Sequence, residues 1–128
     1  MRLDTQFPAE PASVGLARDA VLASFTDEVP ATTLDELTLL VSELVTNSVR
    51  HADAGGRRKI GLRADLRNGC VRVEVSDWGR AFEPRVQPGA DDIGGWGLYL
   101  VDSLSDRWGL LRTEPKVVWF ELDSSVRS

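Results

Sequence analysis

The sequence predicts an α/β (α+β) two-layer sandwich, in which a mostly antiparallel, mixed sheet has its helices packed on one face. Two segments in the first half of the chain, about 13–25 and 33–52, place apolar residues at helical spacing. A later segment, 59–77, alternates apolar and polar or small residues on either side of a turn, and the segment 108–122 is predicted to form a closing hairpin. The resulting order β-α-α-ββ-loop-α-ββ suits one domain over residues 1–128.

The first helix is predicted to follow a short strand around Arg2–Phe7. Ser13 is a residue type that caps helix N-termini, so the helix is expected to begin there and to end near Phe25. Helical periodicity also predicts which residues lie together on one side of this helix. They are Val14, Ala17, Val21, Leu22 and Phe25.

The second helix is predicted to open at a T-x-x-E capping box, formed by Thr33 and Glu36 after a break at Pro30, and to run to about Ala52. One broad face of this helix is apolar or small. It comprises Leu37, Val41, Leu44, Val45, Ser48 and Ala52.

The clearest strand signal is a hairpin centred on Asn68-Gly69, a dipeptide typical of two-residue turns. Such a turn pairs residue 66 with 71, 64 with 73, 62 with 75 and 60 with 77, which brings the apolar side chains together on one face. A loop from Gly79 to Gly95 follows and is long enough to be a lid over a site. A helix over about 96–106 and a closing hairpin with its turn near Glu114–Pro115 complete the predicted fold.

Composition excludes several classes of function. The chain has 15 basic and 20 acidic residues and a formal net charge of −5, which disfavours nucleic-acid binding. Cys70 is the only cysteine, so an internal disulfide is excluded. No apolar run approaches the length of a membrane span, and the N-terminus has no apolar signal region. These features predict a cytoplasmic protein with no membrane or nucleic-acid partner.

A polar stripe on the second helix is the first candidate site. Glu43, Asn47 and Arg50 follow one another at spacings of four and three residues, away from the centre of the apolar face. Such a stripe is typical of a solvated helix face. The alternative is that the Glu43 carboxylate and the Asn47 amide oxygen together hold hydrated Mg²⁺ and orient a reacting hydroxyl.

Two further features admit both a structural and a functional interpretation. Asp77 has the strand parity of Val71, Val73 and Val75, so it is either a turn-initiating residue or an acceptor for the amino group of a planar base. The segment GGWGL at 94–98 leads directly into a helix. It is either a flexible hinge or a phosphate-binding helix start with free backbone N–H groups.

The order of these motifs resembles that of Bergerat-fold (GHKL) ATP-binding domains, the superfamily of histidine kinases, type II topoisomerases and Hsp90-type chaperones. The segments ELVTNSVRHA, GGWGLYLVDSLSDRWG and KVVWFEL look most like the anti-sigma-factor serine/threonine kinase branch. The resemblance spans Phe7 to Leu122. It implies a two-layer sandwich with a short lid, and ATP and Mg²⁺ as ligands.

Residue by residue, the resemblance implies that Glu43 is the general base for an attacking serine hydroxyl, or orients that hydroxyl. Asn47 would coordinate the Mg²⁺ that bridges the ATP phosphates. Arg50 would contact the phosphates, whereas His51 is expected to pack or cap the helix end.

The same resemblance places the nucleotide on the later motifs. Asp77 would accept the adenine amino group, and Gly79 would let the backbone approach the base. Gly95 and Gly97 would supply phosphate-facing backbone, and Leu98 would begin the helix behind it.

Two departures from the family pattern leave the catalytic interpretation open. Ala81 replaces the second glycine of D-x-G-x-G, and residues 115–118 read Pro-Lys-Val-Val where relatives often have Gly followed by Thr. The resemblance implies a kinase that phosphorylates an antagonist protein, sequesters a sigma factor and forms a homodimer. The alternatives are a non-catalytic partner-binding module with a weakened nucleotide site, and a histidine-kinase catalytic domain.

Overall fold

The structure, a computed structural model, describes residues 2–51, 59–78 and 95–124. Within these ranges the chain forms five strands and three helices. In chain order they are β1 (Leu3–Pro8), α1 (Ala12–Phe25), α2 (Ala31–His51), β2 (Lys59–Arg67), β3 (Cys70–Asp77), α3 (Gly95–Leu104), β4 (Arg107–Leu111) and β5 (Lys116–Asp123). This element order is the predicted one.

The five strands form one sheet in the order β1-β2-β3-β5-β4, and all four pairings between these strands are antiparallel. The predicted two-layer α+β fold is therefore confirmed, although no parallel pairing occurs among the described strands. The predicted hairpin register is also confirmed for the pairs 66–71, 64–73 and 62–75. The ladder between β2 and β3 ends at Gly61 and Ser76, so the predicted pairing of 60 with 77 falls beyond it.

The turn of this hairpin has the backbone conformation that its sequence predicts. Asn68 has a φ of 52° and Gly69 a φ of 75°, so both central residues are left-handed. Positive φ at both positions defines the type I′ turn, whose twist matches that of the flanking strands. The Asn-Gly dipeptide thereby sets which strand residues face the helices.

The hydrophobic core lies between one face of the sheet and the helices. The helix α2 contacts α1, α3 and the strands β2, β3 and β5, so it is the central element of the helical layer. Along β3 and β5 every second residue is buried, and along β2 the same alternation holds from Ile60 to Ala64, as expected for a sheet covered on one side. The largest fully buried side chains are Phe25, Phe120, Leu37, Leu40, Leu44, Ile60 and Leu62.

The predicted helix starts are wrong for both α1 and α2. The helix α1 begins at Ala12, and the hydroxyl of buried Ser13 donates to the Pro8 carbonyl instead of capping the helix. The helix α2 begins at Ala31, because the Leu34 N–H already donates to the Pro30 carbonyl. Pro30 thus holds the capping position, and the predicted Thr33–Glu36 capping box lies inside the helix.

The remaining differences concern burial and element ends. Leu22, predicted on the buried side of α1, is 39% exposed, whereas Ser13, Ala17, Val21 and Phe25 are buried. The helix α3 spans Gly95–Leu104, slightly earlier than predicted. No helix in the described ranges is both long and apolar enough to cross a membrane.

Candidate functional site

Burial divides the polar stripe of α2. Asn47 is only 8% exposed, Glu43 is half-buried and Arg50 is exposed. A wholly solvated stripe is therefore wrong for Asn47, which lies at the margin of the core next to buried Ser48. Within the described residues, the Asn47 carboxamide takes part in no side-chain hydrogen bond.

The fold brings the elements that carry the candidate residues into contact. The helix α2, with Glu43 and Asn47, packs against both β3, which ends at Asp77, and α3, which begins at Gly95. The first four N–H groups of a helix have no partner inside the helix. In α3 these are the N–H groups from Gly95 to Leu98, including that of Gly97. They form the predicted phosphate-facing segment.

Leu98 has a structural role in addition to its place in that segment. Its side chain is 4% exposed and belongs to the hydrophobic core. The helix start is therefore held against the rest of the molecule by a buried side chain. This anchor fixes the position of the preceding glycines relative to α2.

Asp77 is buried at the end of β3, and it carries a charged partner. Its side chain is 4% exposed, and its Oδ1 lies 3.4 Å from Nζ of Lys116, whose side chain is 3% exposed. The two residues are directly opposite each other across β3 and β5. Asp77 is therefore more than a turn residue, because a carboxylate has been placed on the helix-facing side and matched there by an ammonium group.

Lys116 is the residue of this site that the sequence prediction missed. The prediction noted only the loss of a threonine hydroxyl in residues 115–118. A signal was present, since Lys116 has the strand parity of Val118, Phe120 and Leu122 and must share their buried face. A lysine at the start of an apolar strand face needs a partner, and Asp77 supplies it.

Some predicted features lie outside the described residues. They are Gly79, Ala81, Ala52 and the loop from 79 to 94 that was predicted as a lid. Within the described ranges, no cluster of three or more His, Cys, Asp or Glu residues could hold a metal ion. A magnesium site here would thus depend on Asn47 together with phosphate oxygens and water, which is the usual way that Mg²⁺ is held beside a nucleotide.

The opposite face of the sheet carries a dense set of ion pairs. Glu121 accepts hydrogen bonds from Arg72 (3.1 Å) and Arg107 (2.6 Å), and Arg107 also pairs with Asp123 (2.6 Å). The hydrogen bond from Arg107 lowers the pKa of Glu121, against the opposing effect of burial, and the bond from Arg72 adds to the lowering. Arg72 also lies over the Trp119 ring, 4.3 Å from its centroid.

A cavity of about 420 Å³ opens on this outer face. Its lining contains the arginines Arg63, Arg67 and Arg72 and the acids Asp65, Glu74 and Glu121, together with Cys70. The charges of the two signs balance and are paired with each other. Burial raises the pKa of the Cys70 thiol, which disfavours a reactive thiolate. The outer cavity is therefore a weaker candidate for ligand chemistry than the helix-facing site.

Known proteins resemble this chain over most of its length. A family model described as the histidine kinase-like ATPase domain matches residues 7–121. Curated relatives named serine-protein kinase RsbW, from Listeria innocua and Listeria monocytogenes, are 34% identical over 123 residues. Each match covers 82% of this chain and 76% of the relative.

Solved structures resemble the fold. The RsbU and RsbW domains of a Mycobacterium tuberculosis protein superpose with a TM-score of 0.72 at 16% identity, covering 98% of this chain and 34% of that one. A blue-light activated histidine kinase from Erythrobacter litoralis superposes with a TM-score of 0.64 at 24% identity, covering 93% and 42%. This chain thus spans less than half the length of either solved chain.

Proposed function

Because the chain belongs to the histidine kinase-like ATPase family, in the branch of anti-sigma-factor serine kinases, we propose that it is an ATP-dependent protein serine/threonine kinase. The substrate would be a serine of an antagonist protein. The observation that carries the proposal is the placement of Asn47, a carboxamide buried at the margin of the core, one helical turn after half-buried Glu43. A helix side that served only as a solvated surface would not bury a carboxamide.

The roles of the α2 residues follow from their chemistry. The Asn47 amide oxygen is a hard ligand suited to Mg²⁺, and the ion would neutralise charge on the phosphates during transfer. Glu43 would accept the proton of the serine hydroxyl or orient that hydroxyl. Arg50 is exposed at the end of α2 and would meet the phosphates from the solvent side.

The nucleotide would lie along the helix-facing side, between the end of β3 and the start of α3. Asp77 would accept a hydrogen bond from the amino group of the base, with Gly79 leaving room beside it. The N–H groups at Gly95 and Gly97 would donate to phosphate oxygens, where the positive end of the α3 dipole favours negative charge. Positioning and charge neutralisation would supply most of the rate enhancement.

The partners extend this proposal and rest on the resemblance to the serine-protein kinases. The chain would sequester a sigma factor when the antagonist is phosphorylated, and it would do so in the cytoplasm as a homodimer. The strongly acidic composition supports protein rather than nucleic-acid partners.

Magnesium dependence of ATP binding tests the site. Calorimetric titration of the wild type with ATP should show binding that weakens when Mg²⁺ is omitted. Asn47→Ala should weaken Mg²⁺·ATP binding by at least about tenfold, by analogy with the loss of other groups that support a metal site. Thr46→Ala is the matched control, because Thr46 is a half-buried neighbour on the same helix and should leave the affinity unchanged. No binding by folded wild type at millimolar ATP would contradict the proposal.

Transfer of the γ-phosphate tests the chemistry. Glu43→Ala should lower the rate of serine phosphorylation by about 10²- to 10⁴-fold, the usual contribution of a general base, without abolishing ATP binding. Glu36→Ala is the control, since Glu36 is a half-buried carboxylate on the same helix about two turns earlier. Equal rates for the two variants would show that Glu43 is not the base.

A non-catalytic module is the second candidate function. The observation that favours it is the Asp77–Lys116 ion pair, because the carboxylate that would meet the base already has a cationic partner. On this account the chain would bind its protein partners with nucleotide as a structural ligand or without nucleotide. Mg²⁺·ATP binding with no phosphoryl transfer to any antagonist would favour it.

A further inference from the structure

We propose that Lys116, acting with Asp77, determines which purine base the site accepts, and that it lets a 6-oxopurine nucleotide bind alongside an adenine nucleotide. The 6-oxopurines are guanine and hypoxanthine. This inference rests on the proposed function, since it takes Asp77 to be the group that meets the base. It goes further by assigning a role to a residue that departs from the family pattern.

The geometry of the pair is the first support. Asp77 and Lys116 are paired across adjacent antiparallel strands, at the end of β3 and the beginning of β5. Both side chains point to the helix-facing side, and their charged atoms are 3.4 Å apart. Any base whose edge reaches the Asp77 carboxylate from this side therefore also meets the Lys116 ammonium.

The donors and acceptors of Asp77 and Lys116 determine which base edges the pair can bind. An ionised carboxylate only accepts hydrogen bonds, so in the pose in which it meets the 6-amino group of adenine it would repel the 6-oxo group of a 6-oxopurine. An ammonium group only donates, with three N–H groups. The pair thus presents a donor beside an acceptor, and a base edge must offer an acceptor beside a donor to match it.

Both classes of purine match that pattern. Adenine would donate its 6-amino group to Asp77 and accept from Lys116 at ring N1. A 6-oxopurine would accept from Lys116 at O6 and donate N1–H to Asp77. Without the ammonium group, the second arrangement would leave O6 without its donor in a buried place, which is disfavoured. Lys116 is therefore the residue that removes discrimination against the 6-oxo group.

Burial of the pair argues that it does more than stabilise the fold. Replacing a buried ion pair by apolar side chains is often neutral or stabilising, so stability alone does not explain its presence. The neighbouring residues on the same face of β3 and β5, Val75 and Val118, are apolar. The other lysine of the chain, Lys59, is exposed. The Lys116 ammonium group, enclosed at the end of an apolar strand face, is therefore suited to bind the polar edge of a base.

A nucleotide series on the wild-type chain tests the inference without any mutation. Dissociation constants for ATP, GTP and inosine triphosphate are measured by calorimetry in the presence of Mg²⁺. Inosine triphosphate carries the 6-oxo group and N1–H but lacks the 2-amino group, so it isolates the two proposed contacts. We expect GTP and inosine triphosphate to bind within about tenfold of ATP. Weaker binding of both by more than about tenfold would overturn the inference.

Variants of Lys116 then test whether this side chain is responsible for the binding of 6-oxopurine nucleotides. Lys116→Met keeps the aliphatic stem and removes the donor, so GTP should weaken by at least about tenfold relative to ATP. Lys116→Arg keeps donors and should retain GTP binding, and Lys59→Met is the control lysine. An unchanged ratio of GTP to ATP affinity in folded Lys116→Met would overturn the inference. If that variant does not fold, the wild-type series decides.

The outcomes separate this inference from the function on which it rests. Binding of ATP with rejection of both 6-oxopurines overturns the role of Lys116 and leaves the proposed ATP site intact. Binding of none of the three nucleotides by folded wild type overturns the proposed function itself.

Discussion

The two faces of the sheet handle charge in different ways. On the outer face, arginines and carboxylates form a linked set of ion pairs with side chains between about a fifth and a half exposed, among them Arg72, Arg107 and Glu121. On the helix-facing side, one pair between Asp77 and Lys116 is almost completely enclosed. Both sets join β3 to β5. The two sets of ion pairs thus link the same two strands and differ in their exposure to solvent.

The difference indicates which face is organised for a ligand. Exposed ion pairs contribute little to stability individually, and the outer set resembles a solvated surface in which each charge has a neighbour of opposite sign. The groups of an enclosed ion pair lie in a region of low dielectric constant, so each hydrogen bond that they form with a ligand is stronger than it would be in water. The helix-facing side also holds Asn47 and the start of α3.

The largest expected difference between the faces concerns removal of one cation. Lys116→Met removes the ammonium group that lies 3.4 Å from the enclosed Asp77 carboxylate and should lower the free energy of unfolding by about 3–5 kcal/mol. Arg67→Met removes an exposed cation 2.8 Å from Asp65 and should change it by less than about 0.5 kcal/mol. Urea denaturation of both variants measures the two values. Similar values for the two would mean that the enclosed pair is hydrated like the outer ones.

A smaller effect is expected where the outer face is tightly packed. A Cβ at Gly109 would lie only 2.7–2.9 Å from ring atoms of Trp119, which also contacts Arg72. Gly109→Ala should therefore destabilise the chain by about 1–3 kcal/mol, as overpacking does elsewhere. Gly61→Ala on β2 is the control, because the atom nearest to its added Cβ is the rotatable Ser76 hydroxyl oxygen. Thermal unfolding compares the two, and a larger loss for Gly61→Ala would contradict the packing described here.

The smallest expected change in the free energy of unfolding is for Glu121, the carboxylate at the centre of the outer ion pairs. Because its arginine partners lower the pKa of Glu121 below the ordinary 4.5, its ionised form is favoured in the folded state. The contribution of ionised Glu121 to the free energy of unfolding is present above the unfolded-state pKa and is lost as pH falls through the folded-state pKa. Glu121→Gln should thus cost less than about 1 kcal/mol at pH 7, with the difference from wild type disappearing in acid. A difference that grows as pH falls would contradict this sign.

Local signals in the sequence were sufficient for the β2–β3 hairpin and insufficient for the helix starts. The Asn68-Gly69 turn and the alternation on either side of it determine the β2–β3 register, since both act over a few residues. The capping box at Thr33 and Glu36 failed because Pro30 already provides a suitable start for α2. Ser13 failed for a related reason, because its hydroxyl found a partner in the preceding strand.

The candidate site was predictable in part. Glu43 and Asn47 could be placed on one side of α2 from spacing alone, but their different burial depends on how α2 packs against β3 and α3. The partner of Asp77 could not be identified, because it comes from a strand 39 residues later whose register is set by tertiary pairing. The strand parity of Lys116 is a signal of its burial that the sequence prediction did not use, whereas only the fold shows that it faces Asp77.

Mapping where ATP·Mg²⁺ binds tests the central claim, that the helix-facing side is the nucleotide site, most directly. Titration of isotopically labelled chain, followed by amide chemical shifts in NMR spectra, compares both faces in one experiment. The account predicts the largest changes at Asn47, Asp77 and Leu98, with small changes at Cys70 and Asp123 at the other end of β3 and β5. Largest changes at Arg63, Arg67 and Arg72, around the cavity on the outer face, would contradict it.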